Sequence, residues 1–181
     1  MGLFMAQTAV VYFSGYGHTQ RVAEYVAQGA GAPLIEIDAD GNLTDAQWET
    51  LDAADAIIMG SPTYMGMAAW QFKKFADLSS KRWFAGKWQG KVAGGFTISG
   101  HLSGDKLSTI QYFITLAMQH GMVWVGQAEM GDGTINRLGS NSGLMAQVGN
   151  TESAAAIPDG DLETAKKYGA RVAEIAGKLA V

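Results

Sequence analysis

Five apolar runs of strand length, each followed by a turn and then by a helical pattern or a long loop, constrain this 181-residue chain more than any single motif. The runs are Thr8 to Phe13, Leu34 to Asp38, Ala56 to Met59, Val92 to Thr97 and Met122 to Val125. Helical spacing of apolar residues covers about Thr19 to Ala30, Met67 to Leu78, Lys106 to His120 and Asp161 to Leu179. A shorter helix, capped by Thr44 or Asp45, follows the turn Asp40-Gly41-Asn42. Strands that alternate with crossover helices pair in parallel, and their helices cover both faces of the sheet. The expected architecture is therefore α/β, a five-stranded parallel sheet of order 2-1-3-4-5 within one domain over residues 1–181, with the short second and fifth runs at its edges.

In that strand order the winding reverses between the first and third strands, and ligands bind in the crevice beyond their C-terminal ends. Ser14 to Thr19 and Ser61 to Gly66 flank that crevice, and Ile98 to Gly104 follows the next strand along. All three loops are rich in glycine and hydroxyl groups, a coincidence that separate turns would not produce. The first, in AVVYFSGYGHT, leads from a strand straight into a helix. Unpaired N–H groups and the positive end of the helix dipole then point at the turn. It holds no Lys or Arg and lacks the Gly-Lys-Ser/Thr ending that a nucleoside triphosphate requires, so it suits one terminal phosphate held by neutral donors. Flavin mononucleotide (FMN) carries such a phosphate. The plainer alternative is an N-capped helix with Ser14 or Thr19 as the cap. No Gly-x-Gly-x-x-Gly follows the first strand, which disfavours a tightly held dinucleotide.

Composition removes other classes. The chain is 48% hydrophobic and 17% charged, as a domain with a full core should be, and its net charge is only −4. Neither a basic run for nucleic acid nor an apolar stretch long enough for a membrane is present. The opening MGLFMA shows neither a secretory leader nor a myristoylation signal, so a cytoplasmic location is expected. Zero cysteines exclude thiolate, disulfide and iron–sulfur chemistry, and redox function would have to come from a cofactor.

The ordered set SGYGHT, GSPTYMG, KRWFAGKWQGK, FTISGHLSG and LAMQHGM resembles the flavodoxin-like NAD(P)H:quinone oxidoreductases of the tryptophan repressor-binding protein (WrbA) type, over nearly the whole chain. The resemblance implies a flavodoxin-like fold, bound FMN, NADH or NADPH as donor, quinones as acceptors, and a homodimer or, commonly, a homotetramer. By match to that family, Ser14, Gly15, Tyr16, Gly17, His18 and Thr19 would take the phosphate and ribityl end of FMN. Pro62, Thr63, Tyr64, Met65 and Gly66 would line one side of the ring. Thr97, Ile98, Ser99, Gly100, His101, Leu102 and Ser103 would supply contacts on the other, and Trp83 falls where the family places an aromatic over the substrate. Three departures bear on substrate choice. Tyr64-Met65 stands where the family usually has Arg-Phe, Ile98 to Leu102 replaces smaller polar residues, and Gln119 replaces a flavin-contacting His.

In such a cleft FMN takes a hydride from the nicotinamide and passes it to a quinone, by ping-pong kinetics, with N–H dipoles of the Ser99 to Ser103 loop stabilising negative charge. His101 is the candidate proton donor to the quinone oxygen, since histidine titrates near neutrality; a solvated loop His is the plainer reading. The three histidines show no metal-ligand spacing, and no metal site is expected. His120 ends a helix and reads as structural. Trp70 and Phe72 read as core or subunit contact, and Asp45, Glu49, Asp52 and Asp55 as a solvated helix face. The glycine-rich stretch from Gly126 to Pro158 shows no clear element; it reads as a cover for the flavin edge or a neighbouring subunit, or as disorder. Two rivals remain, a flavodoxin-type electron carrier without its own nicotinamide turnover and a non-catalytic module for another phosphorylated ligand.

Overall fold

A computed structural model describes residues 6–179. The targeting reading of the opening residues falls largely on 1–5, outside the described chain. Strands β1 (Thr8–Tyr12), β2 (Leu34–Glu36), β3 (Ala56–Tyr64), β5 (Val92–Ser99) and β6 (Val123–Trp124) form a sheet of order β2-β1-β3-β5-β6, and every pairing along that path is parallel. These are the five expected runs in the expected order.

Two further strands complete the sheet. β4 (Met67–Ala68) folds back on β3 as a hairpin, with Thr63 opposite Ala68 and Tyr64 opposite Met67. β7 (Leu144–Gln147) pairs with Phe96–Ser99 of β5, just beyond the rungs that β5 makes with β6. The fifth position of the sheet is thus filled by two short strands in line, with the segment 125–143 looped out between them. Tyr168 closes the gap. Its fully buried hydroxyl accepts from the Gly95 N–H at 2.9 Å and donates to the Val125 carbonyl at 2.7 Å, replacing a rung that neither strand supplies.

Both faces of each central strand are apolar because both are covered. Ala9, Val11, Ile57 and Met59 face a cluster with Trp48, Phe72, Phe75, Trp88 and Phe113, contributed by α2 (Asp45–Ala53), α3 (Trp70–Leu78), α5 (Lys106–Gln119) and the segment before β5. Val10, Tyr12, Ala56 and Ile58 face Val22, Val26, Leu162, Tyr168 and Val172 from α1 (His18–Ala30) and α6 (Asp159–Leu179). α1 and α6 lie against one another at Gly29 and Gly169. A methyl group at Gly29 would overlap the Lys166 carbonyl, and one at Gly169 the Val26 carbonyl. Thr44 caps α2 through a reciprocal capping box with Gln47.

Several local expectations are corrected. Met67 and Ala68 belong to β4, so α3 starts only at Trp70. A short helix α4 (Ser80–Phe84) follows it. Asp52 is not part of a solvated face: it accepts from the Trp88 indole N–H at 2.9 Å and from Lys87 Nζ at 3.2 Å, with Arg82 at 3.4 Å. His120 is structural, but through its ring, which bonds the Ser79 hydroxyl at 2.8 Å and packs on Trp88, rather than through the last carbonyls of α5. Among the described residues no helix is long and apolar enough to cross a membrane, and no cluster of three metal-ligating side chains occurs.

Candidate functional site

A cleft of about 640 Å³ opens at the C-terminal ends of β1, β3 and β5, where the strand order reverses. Its first wall is the turn from β1 into α1. Tyr16, His18 and Thr19 line it. Ser14 does not; its Oγ accepts from the N–H groups of Gly17 and Gln20, each at 3.1 Å, and so sets the shape of the turn. Gly17 is the N-cap of α1 at φ +85°, a conformation that a side chain would strain. The N–H groups of His18 and Thr19, first in the helix, have no intrahelical acceptor and are presented with the positive end of the α1 dipole.

The second wall is the end of β3. Pro62 and Tyr64 reach the cleft, whereas Thr63 turns inward, its hydroxyl linked to Thr97 at 2.8 Å and Thr109 at 2.7 Å, all three buried. Thr63 and Thr97 therefore fix the strand ends behind the cleft. Met65 and Gly66 form the hairpin turn with φ of +48° and +81°, as a type I′ turn requires, and Met65 projects fully into solvent. The Tyr64 and Tyr16 rings meet edge to face at 6.3 Å, and the Tyr64 hydroxyl lies 2.6 Å from where a side chain on Gly15 would begin. Burial, and secondarily Tyr16, raises the Tyr64 phenol above its ordinary value, so it remains a neutral donor at neutral pH.

The third wall is Ile98, Ser99 and Gly100. His101, Leu102 and Ser103 continue the loop but are exposed beyond the lining; Leu102 and Ser103 border a second depression near Arg137 and Met145. Trp83 lies elsewhere. It stands on α4, half exposed against Phe84, at the N-terminal end of the strands, because α3 runs back down the sheet before α4 begins. Within one chain it does not reach the cleft.

A fourth wall comes from the stretch Gly126 to Pro158, for which the sequence offered a cover or disorder but no element and no individual residues. Val148, Asn150, Thr151, Glu152, Ser153 and Ala154 follow β7 and close the open side. His18 Nε2 donates to the Glu152 carbonyl at 2.8 Å across the mouth, and Asn150 packs on Gly100 so closely that any side chain there would collide. The signal was present: LMAQVGNT is a sixth run with apolar positions, ending in glycine and a hydroxyl. The long stretch after β6 is ordered by its own bonds. Arg137 grips Asp161 with two N–H groups at 2.7 and 2.9 Å and also reaches Gln147, whose side chain donates to the Gly100 carbonyl at 2.9 Å.

The cleft contains no Lys or Arg, and its volume lies within the range of small-molecule sites, roughly 300–1,000 Å³. A pre-shaped turn with unpaired N–H groups on one side and the ends of β3 and β5, with Pro62, Tyr64, Ile98 and Ser99, on the other fit a heterocycle carrying one phosphate. Residues 9–136 match the description of NADPH-dependent FMN reductases. The chain belongs to that family. It is an FMN-dependent oxidoreductase with a flavodoxin-like fold, and FMN is its cofactor. It is 54% identical to a solved structure described as the flavodoxin, WrbA-like protein from Agrobacterium tumefaciens, with a TM-score of 0.81 over 96% of this chain and 98% of that one. It is 50% identical to "Flavodoxin FldP" of Pseudomonas aeruginosa across 97% of this chain and 99% of the relative. It is 34% identical to an "NAD(P)H dehydrogenase (quinone)" of Rhizobium rhizogenes across 97% of this chain and 99% of the relative.

Proposed function

We propose that the protein carries hydride equivalents from NADH or NADPH to quinones in two successive half-reactions at one FMN site. The observation that carries this reading is the convergence of four loops on a cleft whose phosphate end offers only neutral donors and whose ring end is open to a second molecule. Bound FMN supplies the two-electron acceptor and donor. The chain supplies the rest. His18 and Thr19 N–H groups and the α1 dipole hold the phosphate, with Ser14 fixing their turn. Pro62, Tyr64, Ile98, Ser99 and Gly100 flank the ring, and the loop beginning at Ser99 offers N–H dipoles to its electron-rich edge. Tyr64 and the Asn150–Ala154 segment exclude water. His101, exposed beside Gly100, is placed to hand a proton to an acceptor oxygen arriving from solvent. Trp83 would meet a substrate only across a boundary between two copies. The exposed side chains of Trp70, Trp83 and Phe84 are consistent with self-association of this kind.

A second reading has its own support: "Flavodoxin FldP", at 50% identity, is named a flavodoxin rather than a dehydrogenase. Anaerobic addition of NADH or NADPH to the yellow protein, followed by benzoquinone, separates the two. Rapid bleaching and quinone-dependent turnover of nicotinamide support the enzyme. Flavin that stays oxidised under either nicotinamide, yet is reduced by dithionite, supports the carrier.

A further inference from the structure

We propose that Lys106, buried beneath the Ser99–Gly104 loop, is a positioning residue that biases the site toward reduced over oxidised FMN. The proposal rests on the FMN site described above and adds a role for a residue outside its lining.

Lys106 is the first residue of α5 and is completely inaccessible to solvent. A lysine in that situation ordinarily has a carboxylate beside it. Among the described residues Lys106 has none within ion-pair distance. Its Nζ instead donates to two neutral oxygens, Ser99 Oγ of the third wall at 2.7 Å and the carbonyl of His101, in the loop that continues it, at 2.6 Å. The nearest buried acid, Asp161, is already held by both Arg137 contacts and by the Gln147 N–H at 2.9 Å. Away from solvent the region therefore holds two cations, Lys106 and Arg137, and one carboxylate, Asp161; the carboxylate of Asp105, the N-cap of α5, is exposed to solvent, so the buried excess of positive charge lies under the loop.

The same bonds aim the loop. In a trans peptide the N–H points opposite to the C=O. The Gly100 carbonyl is tied inward by Gln147 and the His101 carbonyl by Lys106, so the N–H groups of His101 and Leu102 face away from the interior. Gly104, at φ +55°, lets the chain return to α5, whose N-terminal dipole adds to the same field. Outward N–H groups backed by a buried cation and a helix N-terminus stabilise negative charge placed against the loop. Oxidised FMN brings no charge on its ring; reduction adds electrons there. The arrangement discriminates between the two forms instead of holding both equally, as the phosphate turn does.

The experiment compares the FMN-loaded wild type with Lys106→Met and Lys106→Gln, measuring oxidised-FMN affinity by fluorescence titration and the two-electron midpoint potential by anaerobic dye equilibration. Both variants should bind oxidised FMN within about threefold of wild type. Their preference for reduced FMN should fall at least tenfold, which for a two-electron couple is a drop of about 30 mV. The Gln variant retains a donor for the His101 carbonyl, so it covers the case in which Met distorts the loop. An unchanged potential in a variant that binds FMN overturns the proposal. So does a variant that binds neither form, since the phosphate turn at Ser14–Thr19 would remain intact under a merely positional change. Failure of the wild type to bind FMN would instead remove the site reading on which the proposal rests.

Discussion

At Ser14 one hydroxyl does what several residues were expected to share. It accepts two N–H groups of the turn after β1 and leaves those of His18 and Thr19, proposed above to hold the phosphate, facing the cleft without an intrahelical acceptor. Ser14→Ala removes both bonds, each worth about 1 kcal/mol net. FMN affinity should fall about 5- to 30-fold while riboflavin, which lacks the phosphate, loses less than twofold; fluorescence titration of both flavins checks this. Equal losses would mean that the turn does not hold the phosphate. Met65 carries the opposite signature, a side chain at φ +48° with no packing to justify it. Asn tolerates that conformation, so Met65→Asn should stabilise the fold by about 1 kcal/mol, raising Tm by about 2–4 °C in a scanning calorimetry comparison. The turn after β1 was legible because a strand, a glycine loop and a helix follow one another without interruption. Thr63 and Thr97 were legible as neighbours of the site but not as its backing, since strand alternation turns their hydroxyls toward Thr109, a partner distant in sequence.

Elements resolve unequally for a similar reason. The central strands β1, β3 and β5 are apolar on both faces and stand out in the sequence; β7 is four residues long, alternates between buried and half-buried, and follows a glycine-rich segment. Its assignment depends on β5 having an unpaired C-terminal half, which only the assembled sheet reveals. The fourth wall of the cleft, carried by β7, was therefore legible only as a covering stretch, without the element or the residues that build it. α1 and α6 show how a close approach is built into composition: Gly29 and Gly169 face backbone on the opposing helix. Gly169→Ala gains about 1 kcal/mol of helix propensity, but the added methyl meets the Val26 carbonyl, which cannot rotate away as a side chain would. Overpacking of this kind costs about 1–3 kcal/mol or more and should prevail. The variant should melt several degrees below wild type by calorimetry yet retain wild-type FMN affinity once folded, because neither glycine borders the cleft. An unchanged or higher melting temperature would show that the helices can part without loss.

Across the whole molecule, the cleft lies at one end of the sheet and a buried aromatic and polar cluster at the other, where Trp88, Ser79 and His120 meet. The Ser79 hydroxyl donates to the Ala76 carbonyl at 2.7 Å, so it must accept from His120 Nε2–H. That assigns the neutral tautomer, with Nδ1 buried and unpartnered. Burial holds the imidazole below its ordinary value of 6.5, with no carboxylate to offset it. The folded chain thus resists a proton that the unfolded chain accepts. Stability from this group is complete above pH 6.5 and is lost as pH falls below it toward the folded value, by at most about 1.4 kcal/mol per pH unit. Asp38, Asp132 and Glu174 are held below the carboxylate range by hydrogen bonds, so their contributions are lost at lower pH and leave pH 5–7 to histidine. His120→Gln keeps a donor for Ser79 and removes the titration. Urea unfolding at pH 5, 6 and 7 should give a steeper loss toward acid in wild type than in the variant, the gap narrowing by about 1 kcal/mol or more from pH 7 to pH 5. Parallel profiles would mean that the imidazole finds a proton acceptor, and that the base of the sheet does not set the acid limit of the fold.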